Sequence, residues 1–191
     1  MDFPSHPLWD FAIEVYRKPG VGDACLHLQE DNHVDVNLLL FVCWIGASGR
    51  GRLNDDEVAR CIETVRPWHE SVVKPLRGVR RILKDELIDG GTGAASPDLT
   101  QALRRAIQAR EIDAEHIEQL MLTATVGREP YETAKQAERL ADAVGNAARY
   151  LTCLGNDVGA KEQADLAIIL TAAFPAVLPS DVRTSLKSLA R

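Results

Sequence analysis

The sequence predicts an all-α protein, a single-domain irregular bundle of about eight helices. Three observations support this prediction. Apolar residues recur at helical spacing along the 191-residue chain, without convincing strand alternation. Ala, Leu, Arg and Glu are plentiful, and aromatic residues make up only 5%, a composition that favours helices over sheets. Capping residues precede several of the apolar segments.

The first two predicted helices are short. Ser5 followed by Pro7 is typical of a helix start, because proline fits well in the first turn. Pro19 and Gly20 end this helix. A second short helix is predicted over residues 21–29.

The third predicted helix lies at the centre of the protein. Residues 36–47 are apolar on nearly all sides, which is typical of a helix surrounded by others. Asp35 is placed to cap this helix, since its carboxylate can accept hydrogen bonds from amides of the first turn. The run is also short enough for a buried strand, but the Asp before it and Gly46 near its end favour a helix.

A capping box opens the next helix, because Asn54 precedes Glu57 by three residues. This helix is predicted to end or bend before Pro67, and another to follow over residues 68–87 with a kink at Pro75. The glycine-rich sequence that comes next predicts a flexible linker over residues 89–93.

After the linker, the helical pattern of apolar residues restarts at Ser96 and Pro97. These are a cap residue and a proline at the first helical position. A helix is predicted from there to Gly127. Further helices follow, and the last is a short amphipathic one that Ser180 and Asp181 are expected to cap.

A chain of this length supports one sizeable core and hardly two. We expect residues 1–127 to form a helical core, and residues 128–191 to form a C-terminal helical extension packed on the same domain. The apolar helix over residues 164–174 is expected either to cover that core or to offer a surface for self-association.

The overall charge and hydropathy exclude several classes of protein. A net charge of −6 argues against broad nucleic-acid binding, which needs many cationic contacts to phosphate. The N-terminus has no signal-peptide pattern, and the longest apolar run is too short for a bilayer. The four cysteines form no C-x-x-C pair and are expected to be reduced and mostly packed. We therefore expect a cytoplasmic protein without a membrane span.

Several short motifs follow one another in the first 84 residues. They are Pro19-Gly20-Val21, Ala24-Cys25-Leu26 with Leu28-Gln29, Asp35-Val36-Asn37-Leu38-Leu39-Leu40-Phe41 with Trp44, Pro67-Trp68, and Val73-Lys74-Pro75-Leu76-Arg77 with Arg80, Arg81, Leu83 and Lys84. Together these motifs resemble a family of uncharacterised proteobacterial proteins, across residues 8–125. The resemblance implies a bacterial, cytoplasmic protein, and it brings no reaction, ligand or partner with it.

A basic stripe is the strongest candidate site. Arg77, Arg80, Arg81 and Lys84 share one helical face, because they lie at positions i, i+3, i+4 and i+7. The guanidinium fork suits phosphate and carboxylate groups, so the stripe is a candidate anion-binding site. His69 precedes the stripe and is a candidate acid or base beside a bound anion.

The favoured alternative for the stripe is internal ion pairing. Glu111, Glu115 and Glu118 share one face of the helix after the linker, and that helix can fold back antiparallel to the stripe. In this interpretation the arginines hold two helices together rather than a ligand.

Metal and cofactor chemistry find little support in the sequence. Glu30-x-x-His33 and Asp113-x-x-His116 have the spacing of helical di-iron sites, but the other carboxylates of such a site are not evident. Phosphate-binding glycine motifs and the serine nucleophile motif are missing. We therefore expect no metal, no cofactor and no catalytic residue.

Two functions remain. The first and favoured hypothesis is a non-enzymatic helical interaction or adaptor protein, acting on an unknown protein partner or through self-association. The second is a binding protein or small enzyme for an anionic metabolite, using Arg77, Arg80 and Arg81. The two differ in whether these arginines meet Glu111, Glu115 and Glu118 or face an open pocket.

Overall fold

The computed structural model describes residues 3–85, 97–131 and 133–190, and every regular element in these ranges is helical. This confirms the all-α prediction. The predicted linker over residues 89–93 and the predicted cap at Ser96 lie outside the described residues. The helices are α1 (Pro7–Tyr16), α2 (Val21–Asn32), α3 (Val36–Ala47), α4 (Asp55–Trp68), a π-helical turn (His69–Val73), α5 (Lys74–Asp85), α6 (Pro97–Thr125), α7 (Gln136–Cys153), α8 (Ala160–Ala173), α9 (Pro179–Lys187) and a closing 3₁₀ turn (Ser188–Ala190).

Helix α3 is the central helix, as its apolar sequence predicts. Every residue from 37 to 46 is buried. The Asp35 carboxylate caps the helix by accepting hydrogen bonds from the amides of Asn37 and Leu38, at 2.9 and 3.4 Å. Helix α7 packs along α3 and comes so close at Gly46 that a β-carbon there would lie 2.2 Å from the backbone nitrogen of Ala143. A glycine at this position is therefore a condition of the α3–α7 packing.

One hydrophobic core contains side chains from both halves of the chain. It runs from Leu8 of α1 through α3 and α6 to Leu186 of α9. The apolar residues of α8, among them Leu166, Ile169 and Leu170, are buried in this same core. Helix α8 therefore covers the core, while Ile168 of the same helix remains exposed. The domain boundary at residue 127 stays a prediction.

Two predicted helix starts are wrong in detail. His6, not Ser5, caps α1, because its Nδ1 accepts a hydrogen bond of 3.1 Å from the amide of Leu8. Leu178 occupies the cap position of α9, so Ser180 and Asp181 lie inside that helix. In both cases a polar residue lies close to the true cap, and at α1 the capping acceptor is an imidazole rather than a hydroxyl.

The predicted break before Pro67 is also wrong, because α4 continues through that proline to Trp68. The backbone then widens into the π-helical turn, where the amide of Lys74 donates to the carbonyl of His69. Proline has no amide hydrogen to place in a helical ladder, and the wider turn lies directly before Pro75. Such turns occur frequently at functional sites, and this one begins with the buried His69.

Two helices stand out by their hydropathy or their length. Helix α3 is apolar but has only 12 residues. Helix α6 has 29 residues but carries many charged side chains. Within the ranges that the structure describes, no helix has both the length and the apolar character needed to cross a bilayer.

Candidate functional site

Two arginines of the basic stripe pair with glutamates of α6. We call Glu111, Glu115 and Glu118, which share one face of that helix, the acidic stripe. Arg77 donates from Nε to Glu111, at 3.0 Å, and from Nη2 to Glu115, at 2.7 Å. Arg80 donates to both oxygens of Glu111. Burial disfavours the charged form of Glu111, but its hydrogen bonds to Arg80 and Arg77 outweigh burial and lower its pKa. These ion pairs join α5 to α6 in antiparallel order.

The other members of the stripe are not brought into this cluster. Arg81 is exposed, and its guanidinium lies 3.6 Å from the exposed carboxylate of Glu30. Lys84 is exposed one turn further along α5. The structure therefore places Arg77 and Arg80 against α6 and leaves Arg81 and Lys84 at the surface.

Glu118 does not meet the arginines. Its side chain is 0% exposed, and its Oε1 lies 3.0 Å from Nδ1 of His69. Its Oε2 accepts a hydrogen bond of 2.7 Å from the side-chain amide of Asn37. Gln119 in turn donates to Asn37, at 3.0 Å. The third glutamate of the acidic stripe thus belongs to a separate buried cluster with the candidate histidine.

Asp35 completes this cluster. Its Oδ2 lies 3.2 Å from Nδ1 of His69, while its Oδ1 accepts the capping amides of α3. The amide of Asp35 itself donates to the hydroxyl of Tyr150, at 2.9 Å. One atom each from Asp35, His69 and Glu118 lies within 4.8 Å of the other two, a spacing suited to metal ligands. We call these three residues the buried triad.

The buried triad carries more negative charge than its hydrogen bonds satisfy. Burial and the charge of Glu118 raise the pKa of Asp35 to about 7. Burial lowers the pKa of His69, but its hydrogen bond to Glu118 and the charges of both carboxylates outweigh burial and raise it. The Oδ2 atom of Asp35 is buried and has no hydrogen-bond partner among the described residues. A cation placed between the three groups would satisfy this oxygen.

A cavity of about 360 Å³ lies beside the buried triad, between α2, the α4–α5 junction and α7. Asp35, His69 and Tyr150 line it, whereas Glu118 lies behind them. Four cationic side chains also line this cavity, which we call the basic pocket: Arg66, Lys74, Arg77 and Arg81. The exposed carboxylates of Glu30 and Glu70 complete its charged lining.

The cations of the basic pocket differ in how they are paired. Lys74 pairs with Glu70 at 2.6 Å, and both side chains are more than half exposed. Arg81 makes only its long contact to Glu30. The side chain of Arg66 is exposed and has no ion-pair or hydrogen-bond partner among the residues described. The pocket therefore holds positive charge that is weakly satisfied by the protein.

The sequence singles out other spacings that the structure does not assemble. Glu30 and His33 line the basic pocket but stay outside the buried triad. Asp113 pairs with Arg110, at 2.8 Å, and His116 stacks on Trp9 with ring centres 4.1 Å apart. Neither predicted i, i+3 pair belongs to a metal-like group among the described residues.

Sequence comparison places the chain in a family. A family described as "Protein of unknown function (DUF2390)" matches residues 7–122. The chain belongs to the DUF2390 family. This confirms the resemblance inferred from the motifs. The matched DUF2390 region runs from α1 into α6 and contains the buried triad, whereas Tyr150 on α7 lies beyond it.

The remaining comparisons add no relative of known activity to the DUF2390 match. No curated protein matches the chain, and no solved structure matches it either.

Proposed function

We propose that this chain binds a small anionic ligand, carrying a phosphate or carboxylate group, in the basic pocket. The observation that carries the proposal is the pairing of the pocket cations. Arg66 has no partner among the described residues, and Lys74 and Arg81 pair only with exposed carboxylates. Exposed ion pairs contribute little free energy, so an anion can replace them at little cost.

The proposed site differs from the stripe predicted from sequence. Arg77 pairs with Glu111 and Glu115, and Arg80 pairs with Glu111. Arg81 remains available, and Arg66 and Lys74 join it from the preceding turns. Arg77 serves as a wall of the pocket.

The size of the pocket narrows the ligand class. Ligand-binding cavities in proteins span about 300 to 1,000 Å³, and this pocket is near the lower end. A small metabolite fits that volume, whereas a nucleic acid or a folded partner does not. Binding of this kind needs no catalytic residue, and we propose no reaction.

Isothermal titration calorimetry at constant ionic strength tests this proposal. The ligands are phosphate, pyrophosphate and citrate, and the proteins are the wild type, Arg66→Ala and Arg60→Ala. Arg60 is the matched control, because it is exposed on the same helix but does not line the pocket. A hydrogen bond to a charged group contributes about 1.5–3 kcal/mol, so we expect Arg66→Ala to weaken binding by roughly 10- to 100-fold.

Two results would contradict the proposal. One is that none of the three anions binds the wild type. The other is that Arg60→Ala weakens binding as much as Arg66→Ala, which would indicate a general charge effect rather than a pocket.

A second candidate function, interaction with another copy of this chain, is favoured by exposed apolar side chains on α5 and α6. Val79 and Ile82 on α5 are about half exposed, and so is Leu103 on α6, while Leu99 is 72% exposed. Helices α5 and α6 pack against each other, and exposed apolar side chains are a feature of interaction surfaces. This supports the interaction hypothesis in the form of self-association.

Analytical ultracentrifugation over a concentration series tests self-association. We expect a dimer that Leu103→Glu dissociates and that Tyr131→Glu, an exposed control on the loop before α7, leaves intact. A wild-type monomer at every concentration would exclude this candidate.

We also propose that the protein acts in the cytoplasm. Its cysteines form no disulfide, and three of them are buried. Free thiols of this kind are typical of a reducing compartment.

A further inference from the structure

We infer that the buried triad binds one divalent metal ion through Asp35 Oδ2, His69 Nδ1 and Glu118 Oε1. The sequence predicts no metal site, because these residues belong to the cap of α3, the π-helical turn and α6, and share no local spacing. The inference goes beyond the proposed anion binding and does not depend on it.

The distances between the donor atoms suit one ion. The nitrogen of His69 lies 3.2 Å from the Asp35 oxygen and 3.0 Å from the Glu118 oxygen. Two ligand atoms at right angles around an ion, each about 2.1 Å from it, are about 3.0 Å apart. The two carboxylate oxygens lie within 4.8 Å of each other. The three donors can therefore surround one ion, with the two carboxylate oxygens adjusting to its coordination geometry.

The hydrogen bonds of the triad leave one carboxylate oxygen unpaired. A proton on Nδ1 of His69 can satisfy Glu118, the nearer carboxylate. Oδ2 of Asp35 is then left buried, with no donor among the described residues. Leaving such an oxygen unpaired is costly, whereas a metal ion bonds to all three groups at once.

The surrounding contacts hold the ligands in the orientation that a metal site needs. The outer oxygen of Asp35 accepts two backbone amides, and the outer oxygen of Glu118 accepts the side-chain amide of Asn37. Gln119 fixes Asn37 from the other side. Each carboxylate thus keeps its inner oxygen for the ion, as in metal sites whose ligands are oriented by outer hydrogen bonds.

The geometry also leaves room for further ligands. Glu118 is sealed in the interior, but Asp35 and His69 line the basic pocket. Three protein ligands with open positions toward a cavity are typical of metal sites that bind a water or a substrate oxygen. One nitrogen and two carboxylate donors suit Mn²⁺, Fe²⁺ or Zn²⁺. An anion held by Arg66 and its neighbours would lie on the open side of the ion.

Metal binding is tested on the full chain after treatment with a chelator. Titration with Mn²⁺ is followed by the loss of the free-ion electron paramagnetic resonance signal, and Zn²⁺ is titrated by calorimetry. We expect one ion to bind per chain. We also expect the electron paramagnetic resonance spectrum of the bound Mn²⁺ to show a hyperfine coupling to a nitrogen of His69. Glu118→Gln and Asp35→Asn keep the shape of each side chain and should weaken binding at least about 100-fold, more than the loss of an outer hydrogen bond would.

Two further variants separate this inference from anion binding. Glu111→Gln removes a buried carboxylate on the same helix but outside the triad, and it should bind metal as the wild type does. Arg66→Ala should lose anion affinity and keep metal affinity. The inference is overturned if the wild type binds neither ion, if the bound Mn²⁺ shows no nitrogen coupling, or if Glu118→Gln binds as the wild type does. Circular dichroism of each variant confirms that the helices are intact.

Discussion

The close crossing of α3 and α7 makes Gly46→Ala the most informative change in the core. The added β-carbon would lie 2.2 Å from the nitrogen and 2.5 Å from the Cα of Ala143. Ordinary contacts begin near 3.4 Å, so the two helices must move apart by about 1 Å. The obstacle is the backbone of α7, which cannot rotate away as a side chain can.

The expected loss of stability follows from this separation. Overpacking a core costs about 1–3 kcal/mol and occasionally more, and here it disturbs the central helix of the protein. Replacing a helical glycine by alanine returns up to about 1 kcal/mol. Taking the upper end of the overpacking cost, about 3 kcal/mol, less about 1 kcal/mol returned, we expect a net loss of about 2 kcal/mol, which for a chain of this length lowers the melting temperature by roughly 4–8 °C.

Two other glycines serve as controls. A β-carbon at Gly78 of α5 would meet nothing within 4 Å, so Gly78→Ala should stabilise the protein by about 0.5–1 kcal/mol. A β-carbon at Gly145 would lie 2.6 Å from the guanidinium of Arg52, a flexible side chain that can move. Gly145→Ala should therefore cost less than Gly46→Ala.

Urea unfolding followed by circular dichroism at helical wavelengths measures all three variants. The ranking expected is Gly78→Ala above the wild type, then Gly145→Ala, then Gly46→Ala. The packing of α3 on α7 is wrong if Gly46→Ala unfolds at the same urea concentration as the wild type or above it.

Three more predictions concern charge, pH and thiol reactivity. Glu111→Gln removes the carboxylate that pairs with Arg80 and one of the two that pair with Arg77, so it should cost about 1–3 kcal/mol in urea unfolding. A cost below about 0.5 kcal/mol would mean that the α5–α6 pairs are not formed. His6→Asn keeps a capping acceptor that does not titrate. Burial, and then the charge of Arg50, hold the pKa of His6 below 6.5, so the stability of the wild type relative to this variant should fall as the pH drops through 6.5. Parallel profiles of stability against pH for the two proteins would contradict this. A thiol reagent should label Cys153 rapidly in the folded protein and the other three cysteines only on unfolding. Those three are buried, and burial raises the pKa of Cys43 to about 12. Labelling of all four thiols at one rate would contradict the fold.

Much of the fold follows from local sequence signals. The apolar run of residues 36–47 and its Asp35 cap identify the central helix, and Asn54 with Glu57 forms the capping box that the spacing predicts. These signals act within one turn of helix, so they can be recognised without knowing the neighbours. The π-helical turn at His69–Val73 has no such signature, because no local residue pattern distinguishes it from ordinary α-helix.

The site shows why local signals are not enough. Three glutamates of α6 share one face, yet two meet arginines and Glu118 meets His69. The reason is the antiparallel order of α5 and α6, in which a residue later on α6 faces one earlier on the α4–α5 segment. Opposite Glu118, that segment offers a histidine rather than an arginine. Asp35, the cap residue of α3, contributes the third side chain. The buried triad therefore forms only when the helices are packed.

A crystal structure of the protein grown with Mn²⁺ and phosphate, with diffraction recorded near the manganese absorption edge, tests the ligand site most directly. We predict one anomalous peak about 2.0–2.3 Å from the facing atoms of Asp35, His69 and Glu118, with phosphate density on its pocket side in contact with Arg66. A well-ordered map without a peak between the three side chains, and with no anion in the basic pocket, would contradict both the metal site and the proposed binding function.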